Sequence, residues 1–163
     1  MASHRIGDGL VDMALELARE TILLTPDRHD DAIKIVAAVV LDARGRLLLV
    51  RKRGSESFMQ PGGKLEPRET PIEALQRQLA EELGGRFDPD AAVFLGRFHA
   101  PAANEPGLWV DALLFEIVLE GPIAIAAEIE EFAWVDPRET ESVKLAPLTR
   151  DTIVPLVASR RMR

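Results

Sequence analysis

Short apolar runs separated by turn residues predict a series of β-strands along the chain. The run at residues 34–42 predicts a mostly buried strand, and the run at residues 46–51 predicts the next strand after an Ala-Arg-Gly turn. Two longer runs, at residues 92–98 and 108–120, predict strands joined by a loop that contains proline and glycine. A further short strand is predicted at residues 132–135, before an Asp-Pro pair.

The clearest helix signal lies between the second and third of these predicted strands. Thr70 is the predicted N-cap, Pro71 takes the first helical position, and Glu73 completes a capping box. Two glycines, Gly84 and Gly85, supply the left-handed C-cap. Three apolar residues recur at helical spacing and predict the face that packs on the core: Ile72, Leu75 and Leu79.

The two ends of the chain carry weaker helix signals. Residues 9–20 predict an amphipathic helix, which either packs on the domain surface or takes part in a homodimer. The sequence from Thr149 onward predicts a closing helix, in which Pro155 predicts a kink or an earlier end. The predicted division is therefore an N-terminal helix and linker at 1–32 and a main domain at 33–163.

The order of these elements predicts the fold class. Strands, a helix, more strands and a second helix are typical of an α+β domain in which helices pack on a mixed sheet. A chain of 163 residues is long enough to bury a sizeable core in one domain. Its 47% of hydrophobic and 29% of charged residues are ordinary for a globular protein.

Charge and composition narrow the classes of function. The net charge of −7 argues against binding driven by a nucleic-acid backbone, and an acidic protein that handles phosphates needs a divalent cation between the like charges. The absence of cysteine excludes disulfides and thiolate metal sites. The N-terminal segment lacks the apolar core of a signal peptide, and no apolar run is long enough for a membrane span, so a cytoplasmic location is expected.

One stretch, FMQPGGKLEPRETPIEALQRQLAEELGG, combines a Pro-Gly-Gly turn, a charged loop and the predicted helix. Within it, five residues separate Gly63 from Glu69, and seven more precede the sequence RQLAEELGG, which begins at Arg77. This spacing resembles the Nudix box of hydrolases that act on nucleoside diphosphates linked to another group. Two positions depart from the box, since Gln78 replaces a glutamate and Gly85 replaces an apolar residue.

The resemblance implies a fold and a reaction. It covers residues 33–160 and implies the Nudix α/β/α sandwich with a mixed sheet. The implied enzyme is a Mg²⁺-dependent pyrophosphohydrolase, with Mn²⁺ as the alternative ion, in which water attacks a phosphorus atom of a nucleoside diphosphate derivative. The PGGK turn looks most like that of members that act on free nucleoside triphosphates, including oxidised ones. The alternative is a Nudix-like module that binds a nucleotide without turnover, because Gln78 has replaced a glutamate.

Glutamates on the predicted helix are the expected metal ligands. Mg²⁺ prefers oxygen ligands, and the sequence offers them in the carboxylates of Glu81 and Glu82 and in a glycine carbonyl of the turn, such as that of Gly63. Taken alone, two adjacent glutamates on a helix are more often a solvated face. The resemblance to the Nudix box makes metal binding the favoured role of the two glutamates here. It also implies that Glu69 and Arg77 pair at the edge of the site.

The amide at Gln78 leaves open which group activates water, because an amide cannot take up a proton at neutral pH. Members of the family often use a carboxylate from a loop beyond the box, and here an acidic loop precedes the last predicted strand. Of its three glutamates, Glu128 and Glu130 are favoured over Glu131, and Glu105 is the second choice. The implied catalytic set is Arg77, Gln78, Glu81, Glu82, Glu128 and Glu130.

Basic and aromatic residues are candidates for contacts with the substrate. Three adjacent basic residues at 51–53 precede the Pro-Gly-Gly turn, so one or two of them are expected to reach phosphates, although such a strand end is often only solvated. The phosphate-binding candidates are Arg51, Arg53 and Lys64. Candidates for stacking on a base, which by default are core residues, are Phe58, Phe98, Trp109 and Trp134. His99 is a further candidate for substrate contact.

Overall fold

The structure, a computed structural model, describes residues 31–161, so the helix predicted at residues 9–20 lies outside the described residues. Within that range the chain forms the strands β1 (Ile33–Val39), β2 (Leu47–Lys52), β3 (Phe58–Met59), β4 (Gly62–Lys64), β5 (Val93–Pro101), β6 (Trp109–Glu116) and β7 (Ile129–Val135). The helices are α1 (Pro71–Leu83) and α2 (Val154–Arg161), with a 3₁₀ turn at Pro89–Ala91 and a π-helical turn at Thr149–Ile153.

The strands form a mixed sheet and an antiparallel sheet, as the element order predicts. The first has the order β4-β1-β6-β5, in which β1 and β6 run parallel and the other neighbours antiparallel. The second has the order β3-β2-β7 and is antiparallel throughout. A hairpin joins the two sheets, since the Leu48 N–H donates to the Val40 carbonyl oxygen at 2.9 Å.

Helices cover both faces of the strands β1 and β2. Successive residues of a strand point to opposite faces, so each strand contributes to two cores. The core on the α1 side includes Val36, Ala38, Val40, Leu48, Val50, Leu75 and Leu79. The core on the α2 side includes Ala37, Val39, Leu47, Leu49, Ile153 and Val157. The predicted α+β class and the α/β/α layering are therefore confirmed. No helix among residues 31–161 is long and apolar enough to cross a membrane.

The caps of α1 form as the sequence predicts. The Thr70 hydroxyl accepts a hydrogen bond from the Glu73 N–H at 3.2 Å, and Gly84 has the left-handed φ of 64°. The Gly84 N–H donates to the Ala80 carbonyl oxygen, which is the 5→1 bond of an αL ending, and the Gly85 N–H donates to the Leu79 carbonyl oxygen. Local interactions alone therefore set both ends of this helix.

Several predicted boundaries need correction. The strand predicted at 34–42 ends at Val39, and the strand predicted at 92–98 continues to Pro101. The strand predicted at 132–135 begins at Ile129, because β7 pairs with the whole of β2. The strand predicted at 108–120 ends at Glu116, where its pairing with β1 and β5 ends. The closing helix does not end at Pro155, because the preceding π-helical turn places this proline in the first turn of α2, where a missing N–H is tolerated.

A cross-strand ion pair ties β5 to β6. The buried carboxylate of Asp111, which is 7% exposed, accepts a hydrogen bond from the Arg97 guanidinium at 2.7 Å, and His99 Nε2 lies 3.5 Å from it. Burial raises the pKa of Asp111, but the hydrogen bonds and charge of Arg97 outweigh burial and hold the pKa below its ordinary value. His99, a predicted substrate contact, is therefore part of this pair.

Replacing Asp111 with asparagine is expected to lower the free energy of unfolding at pH 7 by about 1–2 kcal/mol, because Arg97 loses a charged acceptor. A carboxyl whose folded pKa is lowered stabilises the fold above its unfolded pKa, and this stabilisation is lost as pH falls through the folded pKa. Urea unfolding should therefore show the full difference at pH 7 and a shrinking one below about pH 4.

The matched control is Asp151→Asn, because Asp151 pairs with its exposed neighbour Arg150. We expect this control to leave the free energy of unfolding unchanged within the error of the measurement. An Asp111→Asn effect of equal size at pH 3 and pH 7 would show that the ion pair is not its cause.

Candidate active site

The Pro-Gly-Gly turn lies tightly against β1. Gly62 has a φ of 150°, and a Cβ atom at this position would lie 2.1 Å from the Val36 carbonyl oxygen. The Pro61 carbonyl oxygen also accepts a hydrogen bond from the Ala38 N–H at 2.9 Å. Only glycine fits this close approach of two backbones, and the approach holds the turn next to α1.

Gly63 lies directly beneath the side chain of Gln78. A Cβ atom on Gly63 would lie 2.5 Å from Cδ and 2.7 Å from Oε1 of Gln78. The Gln78 amide therefore packs on the turn, as a carboxylate of the same shape would. The structure thus brings together Gly63 and Gln78, two positions that the sequence assigned to the site.

Glu82 is the buried acid of the site. Its side chain is 2% exposed, Oε2 accepts a hydrogen bond from the Gly62 N–H at 3.4 Å, and Oε1 has no hydrogen-bond partner. Burial raises the pKa of Glu82 to about 7; the Lys52 charge and the Gly62 N–H oppose the rise, while Glu128 and Glu81 add to it. Such an acid needs a cation or a proton to be stable in this position.

Arg77 holds the charged loop to α1 at the edge of the site. Its guanidinium donates to the Glu69 carboxylate at 2.6 and 2.9 Å and to the Lys64 carbonyl oxygen at 3.2 Å. The hydrogen bond from Arg77 lowers the pKa of Glu69. Glu81 lies 3.6 Å from the same guanidinium and is exposed. The pairing of Glu69 with Arg77 that the resemblance implies is therefore present.

The basic end of β2 pairs residue by residue with the last residue of the loop before β7 and with the first residues of β7. Three ion pairs join them: Arg51–Glu131 at 2.8 Å, Lys52–Glu128 at 3.1 Å and Arg53–Glu130 at 3.5 Å. The loop is also bound to the end of α1, because the Ala126 N–H donates to the Glu82 carbonyl oxygen at 2.9 Å. The three basic residues are thus neutralised by the three glutamates that were considered as bases.

The Lys52–Glu128 ion pair affects the pKa of Glu82. The charges of Lys52 and Glu128 both shift the pKa of Glu82, in opposite directions. Glu130 pairs instead with Arg53, whose side chain is 72% exposed. Of the two favoured bases, Glu128 therefore pairs with the lysine whose charge shifts the pKa of Glu82, and Glu130 pairs with an exposed arginine.

Lys52 is a site residue that the sequence reasoning missed when it selected Arg51 and Arg53. Lys52 lines a cavity beside the Pro-Gly-Gly turn, and neither arginine does. The signal was available, because strand alternation places Lys52 on the same face as Leu48 and Val50, which pack towards α1.

The cavity has a volume of about 130 Å³ and lies between the turn, β1 and the loop that follows β5. Its polar lining includes the backbone of Gly62 and Gly63 and the side chains of Lys52, Lys64 and Glu105. Lys64 Nζ lies 3.8 Å from the Glu105 carboxylate, so both of these predicted residues lie at the cavity.

The four aromatic candidates do not line this cavity. Phe58 and Phe98 pack against the core on the α2 side, and Trp134 packs against the core on the α1 side. Trp109 is partly exposed at the start of β6. For the first three, the default reading as core residues is correct, because the alternation of their strands points them inward.

The donor set at the site consists of oxygen atoms. Among residues 31–161, no group of three or more His, Cys, Asp or Glu side chains is arranged to hold a metal ion. The Glu82 carboxylate and the Gln78 amide lie at the turn, Glu81 precedes Glu82 on the helix, and Glu82 Oε1 is buried without a partner. These residues fit a hard divalent ion that keeps several water ligands, which is the usual behaviour of Mg²⁺.

Comparison with known proteins identifies the family. A family model described as the NUDIX domain matches residues 32–157, which is most of the chain. The chain belongs to the Nudix family. Nudix hydrolases generally use divalent metal ions, in agreement with the oxygen donors of this site.

Individual Nudix relatives share short segments with this chain. The RNA pyrophosphohydrolase of Halorhodospira halophila is 43% identical over 49 residues, which cover 30% of this chain and 27% of that protein. The 8-oxo-dGTP diphosphatase of Haemophilus influenzae is 36% identical over 56 residues, which cover 32% of this chain and 41% of that protein. The chain thus spans about a quarter to two fifths of the length of these relatives.

A solved Nudix structure shows the same fold. The MutT protein from Methanosarcina mazei Go1 superposes with a TM-score of 0.65 over 85% of this chain and all of that chain. The sequence identity between the two is 19%, so the likeness concerns the fold alone.

Proposed function

We propose that this chain is a hydrolase of phosphoric anhydrides, a Mg²⁺-dependent pyrophosphohydrolase that cleaves a nucleoside diphosphate derivative. The observation that carries the proposal is the buried carboxylate of Glu82, which is bound to the Pro-Gly-Gly turn and has one oxygen without a partner. The cavity lined by the same turn is where a substrate would lie. The family and the names of the relatives support the class of reaction.

Glu82 and Glu81 would hold the ion, with the oxygens of Gln78 and Gly63 beside them. When bound, the ion would neutralise the charge on the phosphates and lower the pKa of a coordinated water. Arg77 would contribute by holding the loop against α1 through Glu69, which keeps the glycine turn in register with the helix. Lys52 and Lys64 line the cavity and would attract the phosphate groups.

Glu128 is the proposed general base. It is supported by its distance of 3.1 Å from Lys52, which lines the cavity, and by its effect on Glu82. Its ion pair with Lys52 would hold the carboxylate beside the cavity, where it could take up a proton from the water that attacks phosphorus. Glu105, which also lines the cavity, is the second candidate.

Gln78→Glu is expected to raise Mg²⁺-dependent kcat/KM about 10-fold at limiting Mg²⁺, because a carboxylate binds a hard cation more strongly than an amide does. The two side chains have the same shape, so the contact with Gly63 is preserved. The measurement is the initial rate as a function of Mg²⁺ concentration. Gln76→Glu is the matched control, because Gln76 is exposed on the same helix. Loss of activity in Gln78→Glu would contradict the view of Gln78 as a weakened catalytic position.

The substrate is tested by a screen with Mg²⁺ and with Mn²⁺. The panel contains nucleoside triphosphates, oxidised nucleoside triphosphates, ADP-ribose, nucleotide sugars, dinucleoside polyphosphates and RNA with a 5′-triphosphate. We expect release of phosphate or pyrophosphate from a nucleoside triphosphate. Binding in calorimetry without turnover of any compound would instead support a Nudix-like module that binds a nucleotide, and would overturn the proposed enzyme.

A further inference from the structure

The cavity at the turn adjoins a second, mostly apolar cavity of about 80 Å³ that reaches the start of the C-terminal helical segment. The two cavities share the lining residues Ile35, Ala37, Met59, Gln60, Ala103 and Val110. A substrate whose phosphates lie at the turn would extend its other part towards these shared residues. An apolar lining of this kind suits an aromatic ring, and the thioether of Met59 could contact the edge of such a ring.

Gln60 places an unpaired hydrogen-bond donor between the two cavities. The residue is 6% exposed, and its Oε1 accepts a hydrogen bond from the Thr149 hydroxyl at 2.8 Å. Its Nε2 is buried and has no hydrogen-bond partner. A buried donor without a partner is costly, so its presence beside a cavity points to a ligand that supplies the missing acceptor.

In the structure the carbonyl end of the Gln60 amide faces Thr149. Thr149 is fully buried, and its hydroxyl occupies the carbonyl end of the amide. The strand that precedes Gln60 is held to the segment before Thr149, because Phe58 exchanges backbone hydrogen bonds of 2.8 and 2.9 Å with Lys144 and Ala146. The two side chains are therefore held together from both sides, and the NH₂ group is the end left for a ligand.

We propose that Gln60 is a specificity-determining residue of the hydrolase proposed above, on which this inference rests. Its Nε2 donates a hydrogen bond to a carbonyl oxygen on the base of the substrate. Bases with an oxo group at this position are accepted, and bases with an amino group there are rejected, because two donors would then face each other in a buried site. Thr149 acts as a positioning residue that keeps the donor end of the amide towards the base.

Matched pairs of substrates test this selection. Inosine and adenosine triphosphates differ in a 6-oxo or 6-amino group, and uridine and cytidine triphosphates differ in a 4-oxo or 4-amino group. In at least one pair, kcat/KM for the oxo member is expected to exceed that for the amino member by about 10-fold or more, mainly through KM. Equal values within both pairs would overturn the proposal.

Variants test whether the preference for oxo bases depends on Gln60. Gln60→Leu, which keeps the size of the side chain but removes the donor, is expected to bring the ratio close to one. Thr149→Val should also lower the ratio, and Thr149→Ser, which keeps the hydroxyl, should retain it. The matched control is Gln76→Leu on the exposed side of α1, which should behave as the wild type. A ratio that is unchanged in Gln60→Leu would overturn the proposal.

A binding measurement separates this proposal from the proposed activity. Calorimetry with inosine and adenosine monophosphates, and with uridine and cytidine monophosphates, does not depend on turnover. A preference of about 10-fold for an oxo member, lost in Gln60→Leu, supports the role of Gln60 even if no triphosphate is hydrolysed. Equal affinity within both pairs, or no binding at all, overturns the role of Gln60. The proposed activity fails separately, when no compound of the panel is turned over.

Discussion

Replacing Glu82 with glutamine is expected to lower kcat about 1,000-fold with little change in KM, because the site loses its buried carboxylate at the point where charge develops. Glu82 is the acid nearest the Pro-Gly-Gly turn, and its Oε1 has no protein partner, so no other described contact would replace its charge. The measurement is steady-state turnover of the best substrate in saturating Mg²⁺. Glu73→Gln, an exposed position in the first turn of the same helix, is the matched control and should keep activity within about two-fold.

The stability of the metal-free protein shows whether Glu82→Gln remains folded. The pKa of Glu82 is raised to about 7 in the fold, from 4.5 without burial, so ionisation of this group costs free energy as pH rises from about 4.5 to 7. Glutamine does not ionise, so this cost is absent from the variant. At pH 8 the free energy of unfolding of the variant should therefore equal that of the wild type or exceed it by at most about 3 kcal/mol. Retained activity in a folded Glu82→Gln protein would contradict the proposed role of this carboxylate.

Glu128→Gln is expected to lower kcat at least about 100-fold, the usual contribution of a general base. The matched control is Glu130→Gln, two residues further along the same chain segment. Each glutamate pairs with one basic residue of the β2 end, Glu128 with Lys52 and Glu130 with Arg53, so each variant breaks one ion pair. Glu128 pairs with the lysine that lines the cavity and Glu130 with an arginine that does not, so only the Glu128 variant should lose activity.

The pH profile distinguishes a base from a residue that only positions Lys52. If Glu128 takes up the proton, the acidic limb of the kcat profile should be present in the wild type and in Glu130→Gln, and it should be altered in Glu128→Gln. Equal losses of kcat in Glu128→Gln and Glu130→Gln would show that Glu128 is not the base. Glu105, which lines the cavity, would then be the remaining candidate.

The sequence alone was sufficient for the helix that carries the box. Thr70, Gly84 and Gly85 define the ends of α1 through hydrogen bonds to residues at most six positions away. The pairing of Glu69 with Arg77 also spans only eight residues. Interactions this local depend on spacing and residue type, which a single sequence displays completely.

The strand ends were harder to predict because a strand is defined by its partners. The parallel pairing of β1 with β6 joins residues nearly 80 positions apart, as between Ile33 and Val110. β7 starts at Ile129, earlier than its apolar pattern indicates, because it continues to pair with β2 as far as Lys52. The apolar pattern reports burial, and pairing extends beyond the buried residues.

The site also combines features that depend on local sequence with features that depend on tertiary packing. The sequence by itself determined the family box, the capped helix and the oxygen donors on it, because these depend on residues close together in the chain. Only the tertiary structure decided that Glu128 pairs with Lys52, which lines the cavity at the turn, and that Glu130 pairs with Arg53, which does not line it. The tertiary structure also showed the hydrogen bond between the side chains of Gln60 and Thr149, which lie 89 residues apart in the chain. The physical reason is that such contacts follow from how sheet and helices pack, which local spacing does not specify.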